Sequence, residues 1–239
     1  MIRRLAIAAS AAALLVAGCA PAGPPRTAGG RDQPLAEPSR VVAAELAFAR
    51  LAQEKGQWTA FIETSDDDAV MFVPEPVNAD DWLRRQTNPA QAVRWQPHQV
   101  WSSCDGTLAA TKGAWQRPDG TVGYFTTVWA RQRNGEYEWV LDQGDTLEQP
   151  LAAPEFVEAK AAECDSTNRP MTRRERERYR PAILRPAACD GTLCSGGGTS
   201  ADGTLAYAYA VTPQGRQVTV QMRQSGAMAE VLRSDVAAE

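Results

Sequence analysis

The chain has 239 residues, with 25 Lys and Arg against 29 Asp and Glu and a single His, for a formal net charge of −4. One histidine cannot build a zinc or iron site with several imidazole ligands. The acidic balance excludes a dedicated nucleic-acid binder, which needs a basic surface. The length predicts one domain plus an addition, or two small domains. We expect no metal, since the chain also lacks a Cys-x-x-Cys pair, and no cofactor, since no glycine-rich phosphate loop is followed by a helix.

The first 18 residues have the pattern of a bacterial signal peptide. Arg3 and Arg4 precede an apolar run, 5–17, that is shorter than the about 20 residues a membrane-spanning helix needs. The tetrapeptide that ends at Cys19 resembles a lipobox, in which cleavage leaves this cysteine as the lipid-modified first residue. The sequence therefore predicts a lipoprotein.

Residues 19–38 are rich in Pro, Gly and other small residues and are expected to form a flexible tether. An acidic chain is not attracted to anionic lipid, so membrane attachment should come from acyl chains such as palmitate on Cys19. Ala20 stands where Asp usually marks retention in the inner membrane. We therefore expect a protein anchored in the outer membrane and facing the periplasm.

The segment 39–147 predicts an α+β domain. Its first part shows helical spacing of apolar residues from Ser39, a break at Gly56 and a short apolar strand. The predicted elements there are a helix from Ser39, a second around 58–62, a strand at 69–73 and a third helix capped by Asn78.

Four strands are predicted next, at 93–103, 107–116, 121–132 and 136–144. They are joined by Asp-Gly or Asn-Gly pairs, which favour tight hairpins. Helices followed by an antiparallel meander indicate a sheet with helices on one face.

Three stretches, 68–74, 123–129 and 139–142, resemble the SnoaL-like branch of the nuclear-transport-factor-2-like superfamily. The resemblance covers about half of the chain and ends near Leu147. It implies a cone in which a strongly curved antiparallel sheet wraps against about three helices and encloses a pocket. Such domains include isomerases, cyclases, dehydratases and many proteins with no known reaction, so the fold alone does not choose a function.

Asp142 is the foremost catalytic candidate. Strand alternation predicts Val140 and Asp142 on one face, with Trp139, Leu141 and Gln143 on the other. A carboxylate buried there would have a raised pKa and could shuttle a proton. The alternative is a carboxylate that hydrogen-bonds a loop.

Two further residues are candidates to assist it. His98 follows Pro97, which suits a strand edge or bulge, and an exposed edge is the expected place for it. It could act as a base only if its ring faces the pocket. Tyr124 is the second possible helper. The acidic run 66–68 is expected to be solvated.

Tryptophan is abundant, and all seven residues lie between Trp58 and Trp139. They could line an apolar ligand pocket or simply fill the core, and in a cone fold the two interpretations overlap. The candidates for the pocket wall are Trp82, Trp95, Trp115 and Trp129.

The rest of the chain divides into a charged linker or helix, 148–187, and a small β addition, 188–239. The addition should form three or four strands in a meander that docks onto the first domain, with 196–198 as a loop. The turn sequence that starts at Cys104 recurs from Cys189. This repeated turn sequence indicates either a duplicated hairpin or two meanders with the same turn chemistry.

Four cysteines remain besides Cys19: Cys104, Cys164, Cys189 and Cys194. An even count in an oxidising compartment favours disulfides. We expect a bridge among the last three, with Cys104 as a candidate buried thiol.

Two functions are consistent with these features. The first is a non-catalytic module that binds a small apolar ligand or a protein. The second is a SnoaL-type isomerase, cyclase or hydrolase that acts on an apolar carbonyl compound through Asp142. A homodimer through the sheet is also expected from the resemblance, unless the C-terminal addition covers that face.

Overall fold

The computed structural model describes residues 36–164, 182–184 and 193–238, all of which fall within one compact unit, 32–239. The predicted signal peptide, Cys19, nearly all of the tether and Cys189 lie outside the described residues. No helix in the described part of the chain is long and apolar enough to cross a membrane.

Three helices occur in the described residues: α1 Pro38–Lys55, α2 Gln57–Thr64 and α3 Ala79–Leu83. Gly56, with a φ of 99°, separates the first two because this backbone conformation is open to glycine and strained for other residues. The Asn78 side chain accepts a hydrogen bond from the Asp81 backbone N–H and so caps α3. The three predicted helices are confirmed.

The first sheet contains seven strands of the described chain, in the order β2-β1-β6-β5-β4-β3-β7. Their bounds are β1 Ser65–Phe72, β2 Pro76–Asn78, β3 Arg94–Ser102, β4 Leu108–Gln116, β5 Val122–Arg131, β6 Tyr137–Leu147 and β7 Glu158–Ala161.

The four strands of the predicted meander, β3 to β6, are confirmed. Gly106, Gly120 and Gly135 in their turns have φ angles of 66°, 91° and 90°. The prediction of a wholly antiparallel sheet was wrong, however, because β1 pairs in parallel with β6 and β7 pairs in parallel with β3. Turn chemistry indicates how consecutive strands pair, whereas these two pairings join strands that are distant in sequence.

The second sheet is antiparallel, with five strands in the described residues in the order β12-β11-β10-β9-β8. Their bounds are β8 Ala182–Leu184, β9 Cys194–Thr199, β10 Leu205–Thr212, β11 Gly215–Gln224 and β12 Ala227–Ala237. Residues 196–198 belong to β9 and not to a loop. A Cβ atom on Gly196 would overlap the Tyr209 ring, so glycine lets the ring pack flat on the strand.

The described residues form three layers: helices, first sheet and second sheet. One apolar core lies between the helices and the first sheet and includes Val41, Phe48, Leu83, Trp129 and Trp139. The other core lies between the sheets and includes Leu108, Val128, Leu141, Leu205 and Val220. The C-terminal addition therefore docks as predicted, on the face of the first sheet opposite the helices.

A disulfide joins Cys104 to Cys164, which are 60 residues apart in sequence. Cys104 is therefore not a free thiol, and the partner of Cys164 is not one of the C-terminal cysteines. Cys194 is disulfide-bonded as well. Part of the predicted charged linker forms the edge strand β7, which pairs with β3 and ends three residues before Cys164.

Candidate functional site

A β-bulge in β6 decides which side chains face the helices. Trp139 pairs with Trp129 and Leu141 pairs with Val128, which leaves Val140 as the extra residue. Val140 and Leu141 therefore both enter the core between the sheets, and Trp139 shares the helix-facing side with Asp142. The predicted simple alternation was wrong, because a bulge shifts every later side chain by one face.

A polar row crosses the helix-facing side of the first sheet. Asp142 pairs with Thr127, and Thr127 pairs with Thr111. The Thr127 hydroxyl donates a hydrogen bond to Asp142 Oδ2 over 2.7 Å. The Thr111 hydroxyl donates to Glu45 Oε2 over 2.6 Å, with a longer contact of 3.3 Å to the Thr127 carbonyl. The row links two carboxyl groups from opposite layers.

Glu45 lies in α1 and is completely buried above this row. Besides Thr111, the indole N–H groups of Trp95 and Trp129 donate to its oxygens over 2.8 and 3.1 Å. Burial raises the pKa of Glu45 to about 7, although the three hydrogen bonds act in the opposite direction.

Glu45 is not among the candidates predicted from the sequence, although a signal for it was present. Val41, Glu45, Phe48 and Ala52 recur at helical spacing and are the buried residues of α1. A charged residue in register with an apolar helix face predicts a buried carboxyl group.

Asp142 also has a pKa raised to about 7, first because of burial and second because the Glu45 charge is near. The hydrogen bond from Thr127 and the charge of Arg216 act to lower it. Its Oδ1 atom has no hydrogen-bond partner among the described residues, and the side chain lines a cleft. One oxygen is thus available to a bound molecule.

The cleft has a volume of about 790 Å³, a size typical of small-molecule sites. It opens between the helices, the first sheet and the ends of β10 to β12. Its apolar wall contains Phe48, Trp58, Phe61, Met71, Trp95 and Phe125, and its polar lining includes Gln57, Arg117, Gln143, Asp145 and Arg216.

The four predicted pocket tryptophans take different places. Trp95 and Trp115 line the cleft. Trp129 is buried beneath it and supports Glu45. Trp82 is not part of the lining, and its ring packs edge-on against that of Trp58 with centroids 5.5 Å apart.

Tyr124 is not brought together with Asp142. It lies on the other face of the first sheet, where its hydroxyl hydrogen-bonds Ser234 Oγ over 2.7 Å. Burial raises the pKa of Tyr124, so the phenol remains neutral at physiological pH.

His98 is the extra residue of a bulge between Pro97 and Gln99. Its side chain is 5% exposed, contrary to the expected exposed edge, and it is absent from the cleft lining. Nε2 has no hydrogen-bond partner among the described residues, and burial lowers the pKa of the ring.

The acidic run 66–68 was predicted to be solvated, and for Asp66 this prediction was wrong. It is buried and accepts a hydrogen bond from Gln132 Nε2 over 2.9 Å. The described residues contain no group of three or more His, Cys, Asp or Glu side chains placed to hold a metal ion.

No family model matches this chain. No curated protein matches it either. Among solved structures, it is similar to a candidate ketosteroid isomerase from Parabacteroides distasonis, with 15% identity and a TM-score of 0.37 over 43% of this chain and 85% of that one. A candidate aromatic ring hydroxylase from Novosphingobium aromaticivorans gives 12% identity and a TM-score of 0.34 over 47% and 91%. These values are too low to support an argument about activity.

Proposed function

We propose that this protein is a binding module that holds a small apolar molecule in the cleft, with Asp142 against a polar group of that molecule. The observation that carries the proposal is a carboxyl group with an unpartnered oxygen beside the aromatic wall of the cleft. Apolar walls supply binding free energy through desolvation, and a single placed polar group fixes the orientation of the ligand.

The pKa of Asp142 determines which polar groups suit it. Below about pH 7 the carboxyl group is neutral and donates a hydrogen bond to a carbonyl or hydroxyl oxygen. Above that pH it is ionised and accepts only. A compound with an apolar ring system and one carbonyl or hydroxyl group fits both the wall and the carboxyl group.

A second candidate is the proton-transfer reaction of an isomerase, cyclase or hydrolase on an apolar carbonyl compound. The raised pKa of Asp142 favours it, because a proton shuttle works best near the operating pH. Catalysis also needs a second group that stabilises the developing charge. Neither of the predicted helpers, Tyr124 and His98, lies in the cleft lining, so the acid–base pair that the sequence suggested is not formed. Binding is therefore the first choice.

We also propose that the domain is a SnoaL-like cone and that the protein is lipid-anchored at Cys19 in the periplasmic face of the outer membrane. The Cys104–Cys164 disulfide supports this location, because such bridges persist in oxidising compartments. Mass spectrometry of the protein from its own cells tests it: an acylated Cys19 is expected, and an unmodified N-terminal Met1 would contradict it.

A fluorescence titration tests the cleft. The full chain is exported with Cys19→Ser to prevent acylation and titrated with N-phenyl-1-naphthylamine, an uncharged apolar probe. Trp58→Ala removes an aromatic wall, so the dissociation constant should rise about tenfold or more.

Trp82→Ala is the matched control. Both substitutions remove the same Trp58–Trp82 ring contact, but only Trp58 lines the cleft. The control should remain within about threefold of the parent, since its side chain does not contact the probe. Equal effects of both variants, or no saturable binding, would refute the proposal. Native mass spectrometry of protein from its own periplasm then identifies any retained ligand.

A further inference from the structure

The second sheet contributes a cation to the cleft. Arg216 lies in β11, and its guanidinium group lies over the Phe72 ring of β1, 4.7 Å from the ring centroid. The same side chain is part of the cleft lining, together with Asp142 of the first sheet. The site is therefore completed by residues from both sheets.

Arg216 is fixed in position by hydrogen bonds to β6. It donates to the Gly144 carbonyl over 3.1 Å and to Gln143 Oε1 over 3.4 Å. Gln143 in turn donates to Ser234 Oγ over 2.9 Å, and Ser234 hydrogen-bonds the Tyr124 hydroxyl. This network spans both sheets and orders the arginine before any ligand arrives, which lowers the entropy cost of binding.

The charge of Arg216 is not neutralised locally. Within the described part of the chain no carboxylate lies within 4.0 Å of its guanidinium group, and burial lowers its pKa. Asp142, Asp145 and Tyr124 act on it only at longer range. A partly desolvated cation without a paired anion is costly, and an anion in the cleft would relieve this cost through charge-assisted hydrogen bonds.

We propose that the ligand is an apolar ring compound with one anionic group, such as a carboxylate, and that Arg216 binds this group. The inference rests on the proposed binding function and adds the charge of the ligand. Its apolar body contacts the aromatic wall, and its anionic end lies at the boundary between the two sheets. The second sheet thus acts as part of the binding site.

A competition experiment tests the charge preference. N-Phenyl-1-naphthylamine is bound first and then displaced with 2-naphthoate or with 2-naphthamide, which have the same ring and nearly the same shape but differ in charge. The parent should bind the carboxylate at least about tenfold more tightly than the amide. In Arg216→Gln this ratio should fall to near one, since the anion loses its charge-assisted partner.

Two more variants complete the design. Arg216→Lys retains the charge and should keep part of the preference for the carboxylate over the amide. It also tests the proposal if Arg216→Gln does not fold. Arg233→Gln is the control, because it removes the same charge from the second sheet at a residue that pairs with Glu230 outside the cleft lining. Its ratio should equal that of the parent.

The outcomes separate the two proposals. A ratio near one in the parent, or an unchanged ratio in Arg216→Gln, overturns the anionic ligand while leaving a cleft that binds the uncharged probe. Failure of the uncharged probe to bind, or its insensitivity to Trp58→Ala, overturns the binding function itself.

Discussion

Asp105 and Asp202 exchange reciprocal hydrogen bonds across the two sheets. Oδ2 of Asp105 accepts from the Asp202 backbone N–H over 3.0 Å, and Oδ2 of Asp202 accepts from the Asp105 backbone N–H over 2.9 Å. Each aspartate also organises its own turn through Oδ1, which accepts from a serine hydroxyl over 2.7 Å and from a threonine hydroxyl over 2.8 Å. Two equivalent turns thus face one another.

The turns share the sequence Ser-x-Asp-Gly-Thr-Leu, at 103–108 and 200–205. The prediction from the sequence instead matched the turn that starts at Cys104 with the segment that starts at Cys189. The threonine of each turn also accepts a hydrogen bond from the other turn: Thr204 Oγ1 accepts from the Cys104 backbone N–H, and Thr107 Oγ1 accepts from the Ala201 backbone N–H. The repeat therefore holds the second sheet on the first.

Asp105→Ala should destabilise the protein by about 2 to 3 kcal/mol, because it leaves several buried donors without an acceptor. Urea unfolding measures the change in the free energy of unfolding. Asp119→Ala is the control: Asp119 accepts from the Thr121 backbone N–H in the same way, but its turn is exposed. Water can replace the Asp119 side chain, so the loss in the free energy of unfolding should be much smaller than for Asp105→Ala. Equal losses would show that the contact between the turns adds nothing.

Glu45 predicts an unusual dependence of stability on pH. Its pKa is about 7 in the folded state against 4.5 as the ordinary value, so the folded state holds the proton more tightly. The resulting stability is complete below about pH 4.5 and is lost as pH rises through about 7. Between pH 5 and pH 8 this one group should lower the free energy of unfolding by roughly 2 to 3 kcal/mol.

Glu45→Gln isolates that contribution. The amide can keep two of the three contacts, with Oε1 accepting from Trp95 and Nε2 donating to Thr111 Oγ1. The Trp129 indole N–H loses its bond to the Glu45 side chain and retains the one of 3.2 Å to Thr111 Oγ1. The variant should match the parent at pH 5 and exceed its stability at pH 8 in urea titrations. A variant that retains the full pH slope of the parent would place the titration at another group.

Asp142 predicts a pH dependence of ligand binding. The uncharged ketone 6-propionyl-2-dimethylaminonaphthalene, a fluorescent probe, accepts a hydrogen bond from the neutral carboxyl group only. Because the pKa of Asp142 is about 7, the affinity of the protein for this probe should fall about tenfold from pH 6 to pH 8. Asp142→Asn should abolish this dependence, because an amide does not titrate.

Tyr124→Phe gives the matching comparison, since Tyr124 contacts Ser234 on the other face of the first sheet. In this variant the tenfold fall in affinity between pH 6 and pH 8 should remain, measured with the same probe. The absolute affinity is not compared, because Tyr124 belongs to the network that orders Arg216. A profile that changes with Tyr124 and not with Asp142 would reverse the assignment of the polar contact.

The Cys104–Cys164 disulfide should stabilise the protein by roughly 2 to 4 kcal/mol, because it restricts a long loop in the unfolded chain. The double variant Cys104→Ser with Cys164→Ser should show this loss in urea unfolding. Its β7 amides should also exchange hydrogen faster, since β7 lies at the sheet edge. Unchanged stability would mean that pairing with β3 alone holds this segment.

The placement of His98 shows how far local rules extend. Proline lacks a backbone donor, so the sequence predicted an edge or a bulge, and a bulge is present. Whether the ring was exposed depended on the layers above it, which the neighbouring residues do not encode. The burial of His98 could not be predicted for that reason.

The sequence by itself determined the helices, the four meander strands and their glycine turns, because periodicity, caps and positive φ angles are properties of neighbouring residues. It also indicated Asp142 as a candidate. Only the tertiary structure decided that a bulge at Val140 turns Asp142 towards the helices, that Glu45 stands above it and that Arg216 reaches the same cleft. Burial and electrostatic environment arise from residues far apart in the chain, so no local pattern contains them.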